Sequence, residues 1–208
     1  MTDRRPRLSM LRTYTPADLL TLANASCGTI SVFLCLDFLA GESTASLWPS
    51  FLLPLGALTF DVADGYVARL TPQRKSMMGG DLDSLADVVS FGMAPAVLAY
   101  TLGARGIWDV LCLTYFVCCG ISRLARFNAT AAQLTDDGTG KVRYFEGTPI
   151  PTSVVLVGLL ALLYGYGLTG PALWPGVVRV AGGAFHPLTL LFVASGSLMI
   201  STVRVPKP

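Results

Sequence analysis

Charge is scarce in this sequence. Of its 208 residues, 13% are Asp, Glu, Lys or Arg, about half the share an ordinary soluble domain carries. That leaves too little for a solvated rim around a water-soluble core. The formal net charge of +2 is also too small to mark a nucleic-acid surface. Histidine occurs once, at His186, so a histidine-built zinc site is excluded, and its place at the start of an apolar run suits an interface residue. The five cysteines, Cys27, Cys35, Cys112, Cys118 and Cys119, form no CxxC pair and stand among apolar neighbours. They read as packing thiols, not as ligands or disulfides. A cleavable leader is not expected either. Arg4, Arg5, Arg7 and Arg12 could begin one, but Asp18 interrupts the segment behind them and no small-residue cleavage site follows. No internal repeat is present.

What the sequence has is apolar length: 52% of the residues are hydrophobic. Six segments approach the ~20 residues needed to cross a bilayer, at 20–40, 47–70, 84–104, 107–127, 150–169 and 186–203. They predict helices, since hydrocarbon offers no partner to an open backbone group. The expected fold is an all-α polytopic membrane protein with six transmembrane helices and an N-terminal interfacial helix. Residues 1–19 form a basic interfacial segment, 20–203 the membrane domain, and 204–208 a short tail. In the first of these, Leu8, Met10, Leu11 and Tyr14 can face lipid while Arg7 and Arg12 meet headgroups; the alternative is a loose basic tail. Thr15, Pro16 and Asp18 form a helix-start signature.

The basic residues select an orientation. With both termini cytoplasmic, that side holds Arg4, Arg5, Arg7, Arg12, Arg69, Arg74, Lys75, Arg123, Arg126, Lys141, Arg143, Arg204 and Lys207. Only Arg105 and Arg179 fall outside. This matches the positive-inside rule and predicts a multi-pass protein of the inner (cytoplasmic) membrane. Residues 128–148 then form a polar cytoplasmic loop, and 170–185 a Gly- and Pro-rich external one.

The chemistry concentrates in residues 60–92, FDVADGYVARLTPQRKSMMGGDLDSLADVVSFG. Asp61 and Asp64 are three apart, and Asp83 and Asp87 four apart, so each pair shares a helix face. A short loop with Arg74 and Lys75 joins the two helices, and the pairs can oppose each other at one depth. Four such carboxylates repel and are costly to bury unless a cation compensates. Oxygen ligands suit Mg²⁺ or Mn²⁺, and two divalent cations could be bridged by the set. Gly65, Ala68 and Gly79 allow close backbone approach, and Arg69 can meet a phosphate. Asp81 is out of phase with Asp83 and reads as a cap or solvent-facing group. Two other readings stay open: aspartates that only cap helices or pair with Arg69, Arg74 and Lys75, and carboxylates lining a cation-transport path.

Asp61, Asp64, Gly65, Ala68, Arg69, Gly79, Asp83 and Asp87 together resemble, in order and spacing, the signature of the CDP-alcohol phosphatidyltransferase family. LDSLADVVSFGMAP (82–95), SRLARFN (122–128), YFEGTPIP (144–151) and GSLMIS (196–201) are similar to the membrane-integral phosphatidylserine synthases of bacteria. Tyr66 and Thr148 depart from that pattern and leave the aspartates intact. The resemblance implies six transmembrane helices, a homodimer and a two-cation aspartate site. It also implies transfer of a phosphatidyl group from CDP-diacylglycerol to L-serine with release of CMP. Asp61, Asp64 and Asp83 become metal ligands, and Asp87 a ligand and general base. Gly65, Ala68, Arg69 and Gly79 become the CDP pocket. Asn24 is either near the nucleotide or a helix–helix hydrogen bond. Arg123 and Arg126, three apart, suit the lipid phosphate or the serine carboxylate, or else anchor to anionic headgroups. Ser84 and Ser90 either line the acceptor pocket or tie helices together. A sister enzyme with another acceptor alcohol is the nearest alternative.

Overall fold

The computed structural model describes residues 14–41, 47–70, 78–136, 144–201 and 204–206. Helix α1 (Pro16–Ala40) starts at its sequence signature. Thr15 Oγ1 accepts from the Asp18 amide at 3.3 Å, and Asp18 Oδ2 accepts from the Thr15 amide at 2.7 Å. This is a capping box with Pro16 in the first turn. The helix ends at Gly41, whose φ of 72° gives the left-handed C-cap that glycine adopts without strain.

The polarity of α1 is inverted relative to a soluble helix. Its buried face is Asp18, Thr21, Asn24, Gly28, Ser31 and Cys35. Its outer face carries Leu19, Ile30, Phe33 and Leu36, all exposed. In water that arrangement would be unstable. It is expected where the surrounding solvent is hydrocarbon and polar groups hold helices together.

Helix α2 (Trp48–Leu70) packs along α1. At its start, Trp48 and Phe51 meet Tyr164 with ring centroids 5.6 and 5.5 Å apart, and the Tyr164 hydroxyl accepts from the Leu47 amide at 3.2 Å. The next span, Gly79–Leu102, is the central one, with 67% of its most apolar window buried. It comprises α3 (Gly79–Asp87), a π-helical segment (Val88–Met93) and α4 (Ala94–Leu102). The π segment touches α1 at Gly28. A Cβ there would lie 2.6 Å from Ser90 Cα, so only glycine permits this approach. Helix α5 (Ile107–Asp136) follows, then strand β1 (Tyr144–Glu146), helix α6 (Val154–Gly165), strands β2 (Val178–Val180) and β3 (Gly183–Phe185), helix α7 (Thr189–Met199) and strand β4 (Arg204–Pro206). The core between these helices holds Phe91, Leu98, Phe116, Ile150, Leu160 and Phe192. Phe116 and Phe192 meet edge to face at 5.2 Å, joining α5 to α7. β2 and β3 form an antiparallel hairpin, pinned to α5 by a 2.9 Å bond from Trp108 Nε1 to the Val180 carbonyl. β1 pairs antiparallel with β4, bringing Tyr144 opposite Pro206.

The expectation of six transmembrane helices is corrected to four among the described residues. Pro16–Ala40, Trp48–Leu70, Gly79–Leu102 and Ile107–Ala129 are long and apolar enough to cross a membrane. Ile150–Gly165 and Thr189–Met199 are apolar but shorter. Backbone punctuation explains both. The fifth run opens with a 3₁₀ turn at Ile150–Ser153, which contains Pro151, and its helix stops before Gly167, which has φ 71°. The sixth begins with His186 and Pro187 outside the helix and closes at Met199. Other boundaries shift too. The first span begins at Pro16, so residues 16–19 of the expected interfacial helix belong to α1, and residues 6–13 lie outside the described ones. Helix α5 runs on to Asp136, nine residues into the expected polar loop. All five cysteines are free, as expected.

Candidate active site

The aspartates gather at one end of the bundle. Asp61 and Asp64 lie in the C-terminal half of α2, and Asp83 and Asp87 on α3. The i, i+3 and i, i+4 spacings turn each pair toward the other helix. One carboxylate oxygen from each of Asp61, Asp83 and Asp87 falls within 4.8 Å of the others. Asp87 and Asp64 are buried, while Asp61 and Asp83 are half-buried. Asp64 stands aside from the triad. Its Oδ2 accepts from Thr21 Oγ1 at 2.7 Å. The same hydroxyl lies 3.1 Å from the Ala17 carbonyl, and its single proton favours the shorter, charged acceptor.

Helix α1 supplies the other support. Asn24, fully buried, donates from Nδ2 to Asp87 Oδ1 at 3.2 Å. Its Oδ1 and the buried Asp83 Oδ1 have no hydrogen-bond partner. Beneath them Ser90 Oγ donates to the Asn24 carbonyl at 2.8 Å, fixing α1 against the π segment. This is the helix-tying alternative for Ser90. Ser84 is likewise tied across helices: its hydroxyl lies 3.0 Å from the Gly80 carbonyl, and Asn128 Nδ2 on α5 donates to it at 3.0 Å. Asp81 is exposed and 3.3 Å from Asn128 Nδ2, in keeping with its reading as a surface group.

From α5, Arg123 reaches in. It is half-buried, its Nε has no partner, and its charge is in Coulombic range of Asp87. Arg126 is exposed, so the two arginines occupy different environments despite their spacing. Gly65 follows Asp64 with open space where a Cβ would stand. Ala68 and Arg69 are exposed on the last turn of α2, and Gly79 opens α3. Arg74 and Lys75, the expected loop cations, lie outside the described residues.

Three carboxylates in mutual contact repel, and at a membrane helix end the repulsion is poorly screened. An oxygen-binding divalent cation resolves it. Opposite ligands of one Mg²⁺ lie about 4 Å apart, so oxygens within 4.8 Å need only small side-chain movements to hold one ion. The partnerless Asp83 Oδ1 fits the same requirement. The structure thus brings together Asp61, Asp83 and Asp87 as one candidate cation cluster. Thr21 was not expected from sequence. Its signal was the spacing of Thr21, Asn24, Gly28 and Ser31, a polar and small stripe on an otherwise apolar helix.

Fold and site define a polytopic membrane protein with an acidic cluster able to hold a divalent cation. The sequence profile of the CDP-alcohol phosphatidyltransferases matches residues 14–195, and the chain belongs to that family. It is 44% identical over 211 residues to the CDP-diacylglycerol--serine O-phosphatidyltransferase of Saccharomyces cerevisiae, covering 100% of this chain and 76% of that one. It is 34% identical to the archaetidylserine synthase of Methanothermobacter thermautotrophicus, covering 91% and 69%. It is 32% identical to a CDP-diacylglycerol--serine O-phosphatidyltransferase of Methanocaldococcus jannaschii, covering 96% and 77%.

Proposed function

We propose that the chain transfers the phosphatidyl group of CDP-diacylglycerol to the hydroxyl of L-serine, giving phosphatidylserine and CMP. The observation that carries this is the Asp61–Asp83–Asp87 cluster, in a chain similar over its full length to an enzyme named for that reaction. Serine is the acceptor common to the names of all three relatives.

Asp61, Asp64 and Asp83 would hold divalent cation, Mg²⁺ or Mn²⁺, and Asp64 would serve a second ion in a two-cation site. When bound, the cations neutralise charge on the diphosphate as it passes through the transition state. Asp87 takes the proton of the serine hydroxyl as that oxygen attacks the phosphorus bearing diacylglycerol; it also touches a cation. Asn24 holds Asp87 Oδ1 and thereby presents the other carboxylate oxygen to the acceptor. Gly65, Ala68, Arg69 and Gly79 flank the CDP. Arg123, with its partnerless Nε, receives the serine carboxylate, and the exposed Arg126 receives lipid phosphate.

The aspartate end faces the cytoplasm. Arg69, Arg123 and Arg126 lie at that end, Arg105 and Arg179 at the other. The start of α1 and the β1–β4 pair follow the same end of the bundle, which supports a cytoplasmic side for both termini. Residues 20–203 act as one membrane domain flanked by 1–19 and 204–208, and the exposed apolar helix faces leave room for a homodimer. A cation-transport role is disfavoured because Phe91, Leu98 and Phe116 fill the core beyond the carboxylates.

The test is CMP release by purified protein given CDP-diacylglycerol, Mg²⁺ or Mn²⁺, and a panel of alcohols. Serine-dependent release with labelled phosphatidylserine supports the reading. Release only with another alcohol rejects serine, and no release from folded protein rejects the activity.

A further inference from the structure

A second polar centre lies at the opposite end of the bundle. Phe38 is about 21 Å along α1 from Asn24 at 1.5 Å per residue, and beside it opens a cavity of about 450 Å³. Its walls are apolar: Phe38, Leu102, Pro171, Val177 and Ala184. Arg105 and His186 bring polar atoms to the same cavity. His186 is 4% exposed. Its Nδ1 lies 2.7 Å from Asp109 Oδ2, and Asp109 is not a wall residue. Asp109 also accepts from the His186 amide at 2.7 Å, the Gly106 amide at 2.9 Å and Thr189 Oγ1 at 3.3 Å. A carboxylate so supplied with donors is a fixed acceptor, so Nδ1 carries a proton and the ring cannot turn. His186 Nε2, buried, is left without a partner.

Arg105 is fixed in the same way. Its Nε donates to the Tyr100 carbonyl and its Nη2 to the Thr101 carbonyl, each at 3.1 Å, with the guanidinium over the Tyr100 ring. Two of its five N–H groups are used. Arg105 only donates, so an anionic oxygen suits its remaining N–H groups, and His186 Nε2 is a second unpaired polar atom at this end. Around this end, Ile107, Trp174, Val178 and Val180 are exposed apolar residues, which favours a ligand with hydrocarbon attached over a soluble anion.

We infer that this cavity binds a phospholipid of the leaflet opposite the aspartates, with its phosphate on Arg105, a head-group hydroxyl on His186 Nε2, and its glycerol and upper chains against Phe38, Leu102 and Val177. The site is separate from the proposed chemistry and takes a lipid that is not consumed.

The experiment uses the full chain, stripped of lipid in a neutral detergent and titrated with phosphatidylglycerol, diacylglycerol or inorganic phosphate. Binding is read by thermal shift and by native mass spectrometry. Phosphatidylglycerol should bind and raise Tm, and the other two should not. Loss of charge-assisted hydrogen bonds in Arg105→Gln should weaken that binding about tenfold. CDP-diacylglycerol affinity, which reads the aspartate end, should stay unchanged in the same variant. His186→Gln should weaken phosphatidylglycerol binding in the same direction, and if it does not fold, the exposed Arg105 decides. Equal phosphatidylglycerol binding by Arg105→Gln and the parent overturns the site. A shift reproduced by inorganic phosphate alone overturns its assignment to lipid. Loss of CDP-diacylglycerol binding with phosphatidylglycerol binding intact would count against the proposed function only.

Discussion

The two ends of the helix bundle treat buried aspartate in opposite ways. At one end Asp109 is fully buried and has four donor groups around it, from Gly106, His186 and Thr189, the last shared with the His186 carbonyl at 2.8 Å. At the other, Asp61, Asp83 and Asp87 face one another, and Asp83 Oδ1 has no partner. The first carboxylate is complete within the protein and joins α5 to the start of α7. The second group has more acceptors than the protein's own donors supply, which suits a cation. Burial alone therefore does not mark a catalytic carboxylate; a surplus of acceptors over donors does.

Replacing Asp87 by Asn tests the surplus most severely. It keeps the shape and the Asn24 contact region but removes the base and a charge. Activity should fall about 10²–10⁴-fold, while the thermal unfolding curve stays close to the parent's. A large loss of Tm would mean Asp87 serves the fold, as Asp109 does.

Chelation separates the two ends without mutation. EDTA should abolish CMP release, and Mg²⁺ or Mn²⁺ should restore it. Isothermal titration should show the ion binding to the parent and not to an Asp61→Asn, Asp83→Asn double variant. Full activity after exhaustive chelation would remove the cation from the mechanism.

At the complete end the effect should be on stability. Asp109→Ala leaves His186 Nδ1 and the Gly106 amide unpaired in a buried place, a loss of about 3–5 kcal/mol for a broken buried pair. Denaturation in detergent should report it, with activity per folded molecule retained. An unchanged Tm would show that the four donors at Asp109 contribute little.

Thr21 should give the smallest effect. Thr21→Val keeps the volume but removes the hydroxyl on Asp64. Loss of such a supporting contact lowers metal affinity about 10–100-fold, so the cation concentration for half-maximal activity should rise. Thr21→Ser should restore it. Failure of serine to rescue would assign the loss to packing.

Much of the aspartate end was legible in the sequence, because helical spacing carries both the face and the chemistry. Asp61 and Asp64, then Asp83 and Asp87, need only two helices side by side to converge. The first four spans were legible for a similar reason: long apolar runs have few alternatives in lipid. The sequence did not show how the last two apolar runs end. Composition counts Val, Leu and Gly alike along 150–169, whereas the chain responds to Pro151 and Gly167 and leaves a shorter helix. Nor could the roles of Thr21 and Asn128 be read, since each depends on which residue of a distant helix lies opposite. The Asp109–His186 pair joins residues 77 positions apart, and no local pattern announces it.

The π segment at Val88–Met93 has a consequence for heredity. Each residue in a helix turns the chain by about 100°, so one extra residue in a turn re-aims everything beyond it. Upstream, Asp83 and Asp87 face the cluster; downstream, Ala94, Leu98 and Leu102 face the core. Both facings hold only while the six-residue segment keeps its length. A single-codon deletion there, though it removed only one apolar residue among several, would turn one half of the central helix against the other. Exchange of one apolar residue for another is a mild change at these positions, and loss of one is a severe change.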